Sequence, residues 1–315
     1  MTNWKRKTQS IESTLASMVI CFCFIGSFSV KAKDMSSEKY LFSFKSNKSA
    51  CILRVNNLPA ADSASADQRT MSAGFNLTAF LANGVNKIEL LAGPRNPRDP
   101  KTLFQDSSCE VVVNKDSKDS SVEIARFKLS VNEKGEMSAA NSSHYNGGAF
   151  NSKIIEGYTN NEDDYGLYKA TSLLILDGLP AWSWVKARPV SENDLPEIRK
   201  AYENMMVLIK NQNIEGLKKI TKISSEEMGA AEGVSPELMF ISTDFPQHVV
   251  DKKFTIEPTV WDDYRLKTYC DGRLFRLTTG YYQDSPLRFV ETEGEAAFSY
   301  NPYFSIIDGK VTLVR

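Results

Sequence analysis

In residues 125–131, Ala125, Phe127, Leu129 and Val131 alternate with Arg126, Lys128 and Ser130. A period of two puts the apolar set on one face of a strand and the polar set on the other. Such a strand must bury one side only, which an antiparallel sheet with a wet outer face allows. Strand-like segments recur from about Glu38 to Val190. Tyr40–Lys45, Cys51–Asn56, Gly74–Leu81, Asn86–Leu91 and Cys109–Val113 precede this one, and Gly166–Thr171 and Leu173–Leu176 follow it. Short strands at this spacing predict an antiparallel β-sandwich, Ig-like in kind, over residues 33–190. Asn83-Gly84 offers the positive φ angles of a tight turn, so strands 74–81 and 86–91 are expected to pair as a hairpin. Polar stretches at Ala60–Asp67, Gly93–Pro100 and Asn141–Gly148 read as loops.

The texture changes after Ser191. Asp194 is suited to cap a helix, and Glu197 three residues on would complete a capping box. Leu195, Ile198, Tyr202, Met205, Met206 and Ile209 then recur at three and four, forming one helix face. Shorter helices are expected around Ile214–Ile220, Ser225–Glu232 and from Ser235-Pro236. Strands close the chain. Asp271-Gly272 should join Trp261–Cys270 to Arg273–Thr279, and Asp308-Gly309 should join Tyr303–Ile307 to Lys310–Val314. Helices followed by a meander predict an α+β domain over 191–315, with helices packed on a curved antiparallel sheet in NTF2/cystatin-like fashion.

The first 32 residues read as a secretory leader. Lys5-Arg6-Lys7 is a basic start, Met18–Ile25 an apolar run, and Val30 and Ala32 are small residues suited to cleavage after Ala32. The apolar run is short for a membrane span of about 20 residues. A periplasmic destination follows as the expectation, with no stable membrane span after cleavage. Whole-chain charge is -1, from 38 basic and 39 acidic residues. The leader holds Lys5, Arg6, Lys7 and Lys31 against Glu12, so the remainder is more acidic than that balance implies. Removing the leader also removes Cys21 and Cys23. Cys51 and Cys109 fall on the apolar faces of predicted strands, and an exported chain permits a disulfide between them. Cys270 is left over.

Familiar chemical signatures are missing. The chain has no Gly-x-Ser-x-Gly elbow, Walker loop, dinucleotide fingerprint, Cys-x-x-Cys or His-Glu-x-x-His. With only His144 and His248, a histidine base or a polyhistidine metal site has few candidates. Residues 161–172 faintly follow a calcium loop, with Gly166 at the sixth position. Tyr165 at the fifth and Ser172 at the twelfth depart from that pattern, so an acidic solvated loop is the better reading. No metal or cofactor is expected. Basic residues are scattered rather than interleaved with aromatics, which argues against nucleic acid.

Two pairs are candidate partner contacts. Trp182 and Trp184 share one side of an extended segment and could anchor an interface, or else plug a gap between the halves. Asp262 and Asp263 follow Trp261 and form an acidic pair. Were the chain an enzyme, Asp262, Glu291 and Tyr282 would be the residues to test in a pocket of the α+β half. Glu291, Glu293 and Glu295 would share a face if 290–298 is one strand.

Several stretches, namely Cys51–Pro59, Asn76-Leu77, Leu81–Leu90, Leu179–Trp184 with the helix after it, and Asp308-Gly309-Lys310, resemble exported bacterial proteins of unassigned activity. That group is similar to the periplasmic immunity proteins encoded beside type VI secretion effectors. The resemblance implies a non-catalytic binding protein that neutralises a toxic protein partner, and it assigns no functional residue. An enzyme with an acidic pocket, or an envelope structural or adhesion module, are the alternatives.

Overall fold

The computed structural model describes residues 38–63, 70–139, 142–144, 154–161, 164–280, 282–291, 294 and 296–315. The proposed leader therefore lies outside the described residues. The first half carries strands β1 (Lys39–Asn47), β2 (Ser49–Val55), β3 (Leu58–Asp62), β4 (Thr70–Asn76), β5 (Gly84–Pro94), β6 (Ser108–Asp116), β7 (Ser121–Val131), β8 (Met137–Ser138), β9 (Ser143–His144), β10 (Ile155–Tyr158) and β11 (Tyr168–Leu176). They form two antiparallel sheets. One has the order β4-β1-β6-β7-β8, with β9 also on β7, and the other has the order β10-β11-β5-β2-β3.

Alternation sets the core between these sheets. Tyr40, Phe42 and Phe44 of β1, Val111 and Val113 of β6, and Ala125, Phe127 and Leu129 of β7 point inward from one sheet. Leu53 and Val55 of β2, Ile88 and Leu90 of β5, and Leu174 and Leu176 of β11 meet them from the other. Full burial of each large side chain stabilises the fold by roughly 1.5–3 kcal/mol before entropy is counted. Cys51 on β2 and Cys109 on β6 form a disulfide between the sheets, with their Cα atoms 5.9 Å apart.

The hairpin expected at Asn83-Gly84 does not form. β4 pairs with β1 in one sheet, whereas β5 pairs with β2 and β11 in the other. The connection is a crossover between sheets because Asn76 stops β4. Its side chain accepts the Thr78 N–H at 2.9 Å and starts a buried single turn over Thr78–Phe80. Asn83 instead brackets Leu179, accepting its N–H and donating to its carbonyl, both at 2.8 Å. The two strands expected at 166–171 and 173–176 are one continuous strand, β11. A two-residue turn at Asn56-Asn57, both with positive φ, joins β2 to β3; asparagine tolerates that conformation best after glycine.

The second half holds α1 (Leu195–Lys210), α2 (Ile214–Ile220), α3 (Lys222–Glu232), α4 (Pro236–Ile241) and α5 (Phe245–Val250). Its strands are β12 (Phe254–Ile256), β13 (Arg265–Tyr269), β14 (Leu274–Thr278), β15 (Leu287–Glu291), β16 (Ala296–Tyr300), β17 (Phe304–Ile307) and β18 (Lys310–Leu313). They are divided between a sheet β12-β15-β16 and a sheet β13-β14-β17-β18. The chain is thus an α+β protein built on antiparallel sheets.

The capping box lies one turn earlier than expected. Residues 192–194 form a short 3₁₀ turn, so Ser191 is the cap. The Asp194 carboxylate reaches back to accept the Ser191 N–H at 2.8 Å. Ile198, Tyr202, Met205 and Ile209 are the buried face of α1. The Tyr202 hydroxyl accepts the Leu277 N–H of β14 at 3.2 Å, and its ring meets Phe304 of β17 edge-on. Both Asp-Gly turns join the strands expected of them, β13 to β14 and β17 to β18. β13 is shorter than predicted, because residues 261–263 make a 3₁₀ turn. Residues 290–298 are not one strand: β15 and β16 form a hairpin around them. Glu293 and Glu295 lie outside the described residues.

A third apolar cluster joins the halves. Leu58 and Ala79 from the sandwich meet Trp182, Trp184, Ala231, Tyr269, Cys270, Leu274 and Val314. Sandwich side chains also hold the end of α3. Asn76 donates to the Ala231 carbonyl at 2.9 Å, and Lys39 donates to that of Glu232 at 2.7 Å. These carbonyls are the orphan acceptors of a helix end, where a cation is favoured.

Candidate functional site

The alternation that buries one face of the second sandwich sheet leaves its outer face to Ile52 and Arg54 of β2, Lys87 and Glu89 of β5, and Lys169 of β11. The β13–β14 hairpin faces these residues across an open groove of about 860 Å³. Asn57, Pro59 and Asp62 also line it, as do Thr279, Gly280, Tyr282 and Gln283. Among the described residues, neither histidine nor cysteine lines it.

The floor matches its own charges. Arg54 Nη1 lies 2.5 Å from Asp164 Oδ1, and Thr159 donates to the other carboxylate oxygen at 2.9 Å. Asp164 is buried, so it is a structural anchor rather than part of the solvated loop the sequence suggested. Glu162 and Asp163 of that loop lie outside the described residues. Glu89, also buried, takes Lys87 at 3.0 Å and Lys169 at 3.5 Å. Buried carboxylates of this kind persist as ions only with such partners.

The opposite wall is cationic. The hairpin register puts Lys267 directly across from Arg276, and Arg265 across from Thr278. Residues two apart on a strand share a face, so Arg265, Lys267 and Tyr269 present with Arg276 and Thr278. Arg276 is only 7% exposed. Its guanidinium carbon lies 4.9 Å from the centre of the Tyr303 ring, a cation–π contact. Its Nε is buried without a hydrogen-bond partner, while the guanidinium lies beside the buried Tyr269 hydroxyl and interacts with it. Burial pushes the Tyr269 phenol above its ordinary range, and the neighbouring Arg276 charge opposes that rise.

Trp182 and Trp184 are buried in the cluster between the halves, where their indole N–H groups donate to the Thr78 and Ala79 carbonyls at 3.1 and 3.0 Å. Both indoles are therefore fixtures of this internal junction. Asp262 and Asp263 are exposed on the turn before β13; Asp263 lines the groove and Asp262 does not. Of the residues considered for an enzyme, Tyr282 lines the groove at 81% exposure, while Glu291 is exposed at the end of β15 and outside the lining. The structure thus does not gather Asp262, Glu291 and Tyr282 into one pocket.

Cys270 is buried beside the tryptophans, and desolvation pushes its thiol up to about 12. The His248 ring stacks on Phe298 at 4.2 Å, and its Nδ1 lies 2.8 Å from the Asp244 carbonyl. His144 is on β9. No group of three or more His, Cys, Asp or Glu residues suited to a metal occurs among the described residues. No described helix is long and apolar enough to cross a membrane.

Sequence inspection missed the cationic wall. Its signal was present in the Asp271-Gly272 turn, which sets Lys267 opposite Arg276 once the turn is counted. That Arg276 is buried could not be read from the same pattern. No protein-family model matches the chain, and a comparison with curated proteins finds no match either.

Proposed function

We propose that this is an exported, periplasmic binding protein, most concretely an immunity protein that occludes a toxic secreted effector. The observation that carries the reading is the open, polar groove of about 860 Å³ between the sandwich and the β13–β14 hairpin. Lining from both halves makes it a composite surface, and the matched charges of its floor hold that surface in shape. The Cys51–Cys109 bridge is compatible with export. Two antiparallel sheets joined by a disulfide support an Ig-like reading of the first half. The packing of α1 on antiparallel strands is the feature in favour of an NTF2/cystatin-like second half.

Stable occlusion would bury on the order of 1,600 Å² in total, so contacts must extend beyond the groove. Asp263, exposed beside the groove, is the acidic candidate closest to such an interface. Co-expression with the effector encoded by a neighbouring gene tests the proposal. Restored growth and a complex that survives purification are expected; with neither, the immunity reading fails.

A further inference from the structure

The charged groups on the groove floor are matched to one another. Arg54 is held by Asp164, and Lys87 and Lys169 by Glu89. With these charges committed, the floor has little to gain from a ligand of either sign. Its three cations still reach solvent, with 21%, 43% and 32% of their side chains exposed in that order. A guanidinium has five N–H donors and an ammonium three, so each has donors to spare. They rise from β2, β5 and β11, which are neighbours in one sheet. Such strands lie about 4.8 Å apart, close to the length of one pyranose ring along a chain. Exposed acceptors also line the groove, namely the Asp263 carboxylate, the Asn57 amide and the Thr268 hydroxyl. Among the described lining residues only Ile52 and Pro59 are aliphatic, and Ile52 is 4% exposed. An apolar ligand would find little surface to cover.

Two tyrosine rings add a second kind of surface. Tyr165, between β10 and β11, is 42% exposed, and Tyr282, between β14 and β15, is 81% exposed; both line the groove. An exposed ring presents a negative π face. A pyranose has C–H bonds of partial positive charge on its faces, and around its edge hydroxyls that both donate and accept. We propose that the groove is a binding site for a neutral oligosaccharide: sugar faces stack on Tyr165 and Tyr282, and hydroxyls bond to Arg54, Lys87, Lys169 and Asp263. The volume of about 860 Å³ falls within the range of about 300–1,000 Å³ that suits an organic ligand rather than a single ion. A peptide backbone offers one donor and one acceptor per residue, against several on each sugar ring. The site stands with or without the protein partner proposed above, and so goes beyond that reading.

Calorimetric titration of the folded chain with N-acetylated chitohexaose, cellohexaose and maltohexaose tests the proposal. Acetylated tetraglutamine amide, a neutral polar peptide, is the control. Saturable binding of at least one hexasaccharide is expected. Its affinity should change less than twofold between about 0.05 and 0.5 M sodium chloride, because the ligand has no charge to screen. Y165A and Y282A should each weaken binding about fivefold, and the double variant tenfold or more. Tyr282 is exposed enough for Y282A to keep the circular dichroism of the parent. If Y165A does not fold, Y282A carries the test with D263A, which must weaken binding severalfold. The proposal is overturned if none of the three sugars binds, if the peptide binds as tightly, or if the folded variants bind as well as the parent. Sugar binding without rescue from any effector would remove the immunity reading and leave the site standing; rescue without sugar binding would do the reverse.

Discussion

Replacing Arg315 with methionine should loosen the junction that sets the groove. The Arg315 side chain is fully buried, and its Nε and Nη2 donate to the Ala79 carbonyl at 2.9 and 2.8 Å. Nη1 meets Glu227 Oε2 at 2.5 Å, and the guanidinium carbon lies 5.3 Å from the Trp182 ring centre. The residue therefore ties the end of the last sheet to a turn of the sandwich and to α3. Breaking a buried ion pair costs about 3–5 kcal/mol, mostly because the remaining charge loses its partner. Two features place this case at the lower end. The Ala79 carbonyl keeps the Trp184 indole N–H at 3.0 Å, and Glu227 keeps the Ser183 N–H at 2.7 Å with about a fifth of its side chain exposed. The expected loss is thus about 3 kcal/mol, read from the urea midpoint with fluorescence and circular dichroism transitions required to coincide. E227Q removes the stranded charge, so E227Q/R315M should regain about 1–2 kcal/mol relative to additivity. A loss below about 1 kcal/mol for R315M, or strict additivity of the two changes, would refute the reasoning that this buried pair holds the junction.

Other consequences are equally measurable. The paired Arg188 guanidinium and the Ser191 N–H hold the Asp194 carboxyl well below the usual carboxylate range. Its folded pKa is depressed, so its contribution is full above the unfolded value near 4 and disappears as pH falls through the folded one. D194N should cost about 1 kcal/mol at pH 7, and the gap to the parent should shrink below about pH 4 in acid titrations; a constant gap would contradict the cap. With its thiol pushed up to about 12, Cys270 should resist a disulfide reagent at pH 8 in the native protein and react promptly in denaturant; prompt native reaction would show the thiol is not shielded. The Cys51–Cys109 bridge closes a separation of 58 residues, so C51A/C109A should lose about 4 kcal/mol in the chain-entropy account, measured against the parent under non-reducing conditions; an unchanged midpoint would mean the bridge adds no net stability.

What could be read without coordinates was local. The alternation at 125–131, the apolar stripe of α1 and the two Asp-Gly turns depend on neighbours within a few residues, and the structure has them as expected. The cysteine pairing was also legible, since both residues fall on inward faces. Errors arose where a local signal competed with a distant partner. Asn83-Gly84 has the chemistry of a hairpin, yet Leu179, 96 positions away, takes both groups of the Asn83 amide. Asp194 looked like a cap, but its carboxylate serves Arg188 and Ser191 instead.

Sequence by itself determined the strand faces, the α+β class and the two Asp-Gly turns, because period and backbone preference act over one or two turns of chain. Tertiary structure alone decided that Trp182 and Trp184 are internal, that Asp164 is a buried anchor for Arg54, and that Arg276 is buried beside a groove opposite Glu89. Burial and pairing of a charge depend on which surfaces the folded chain brings together, and no short window of residues contains that information.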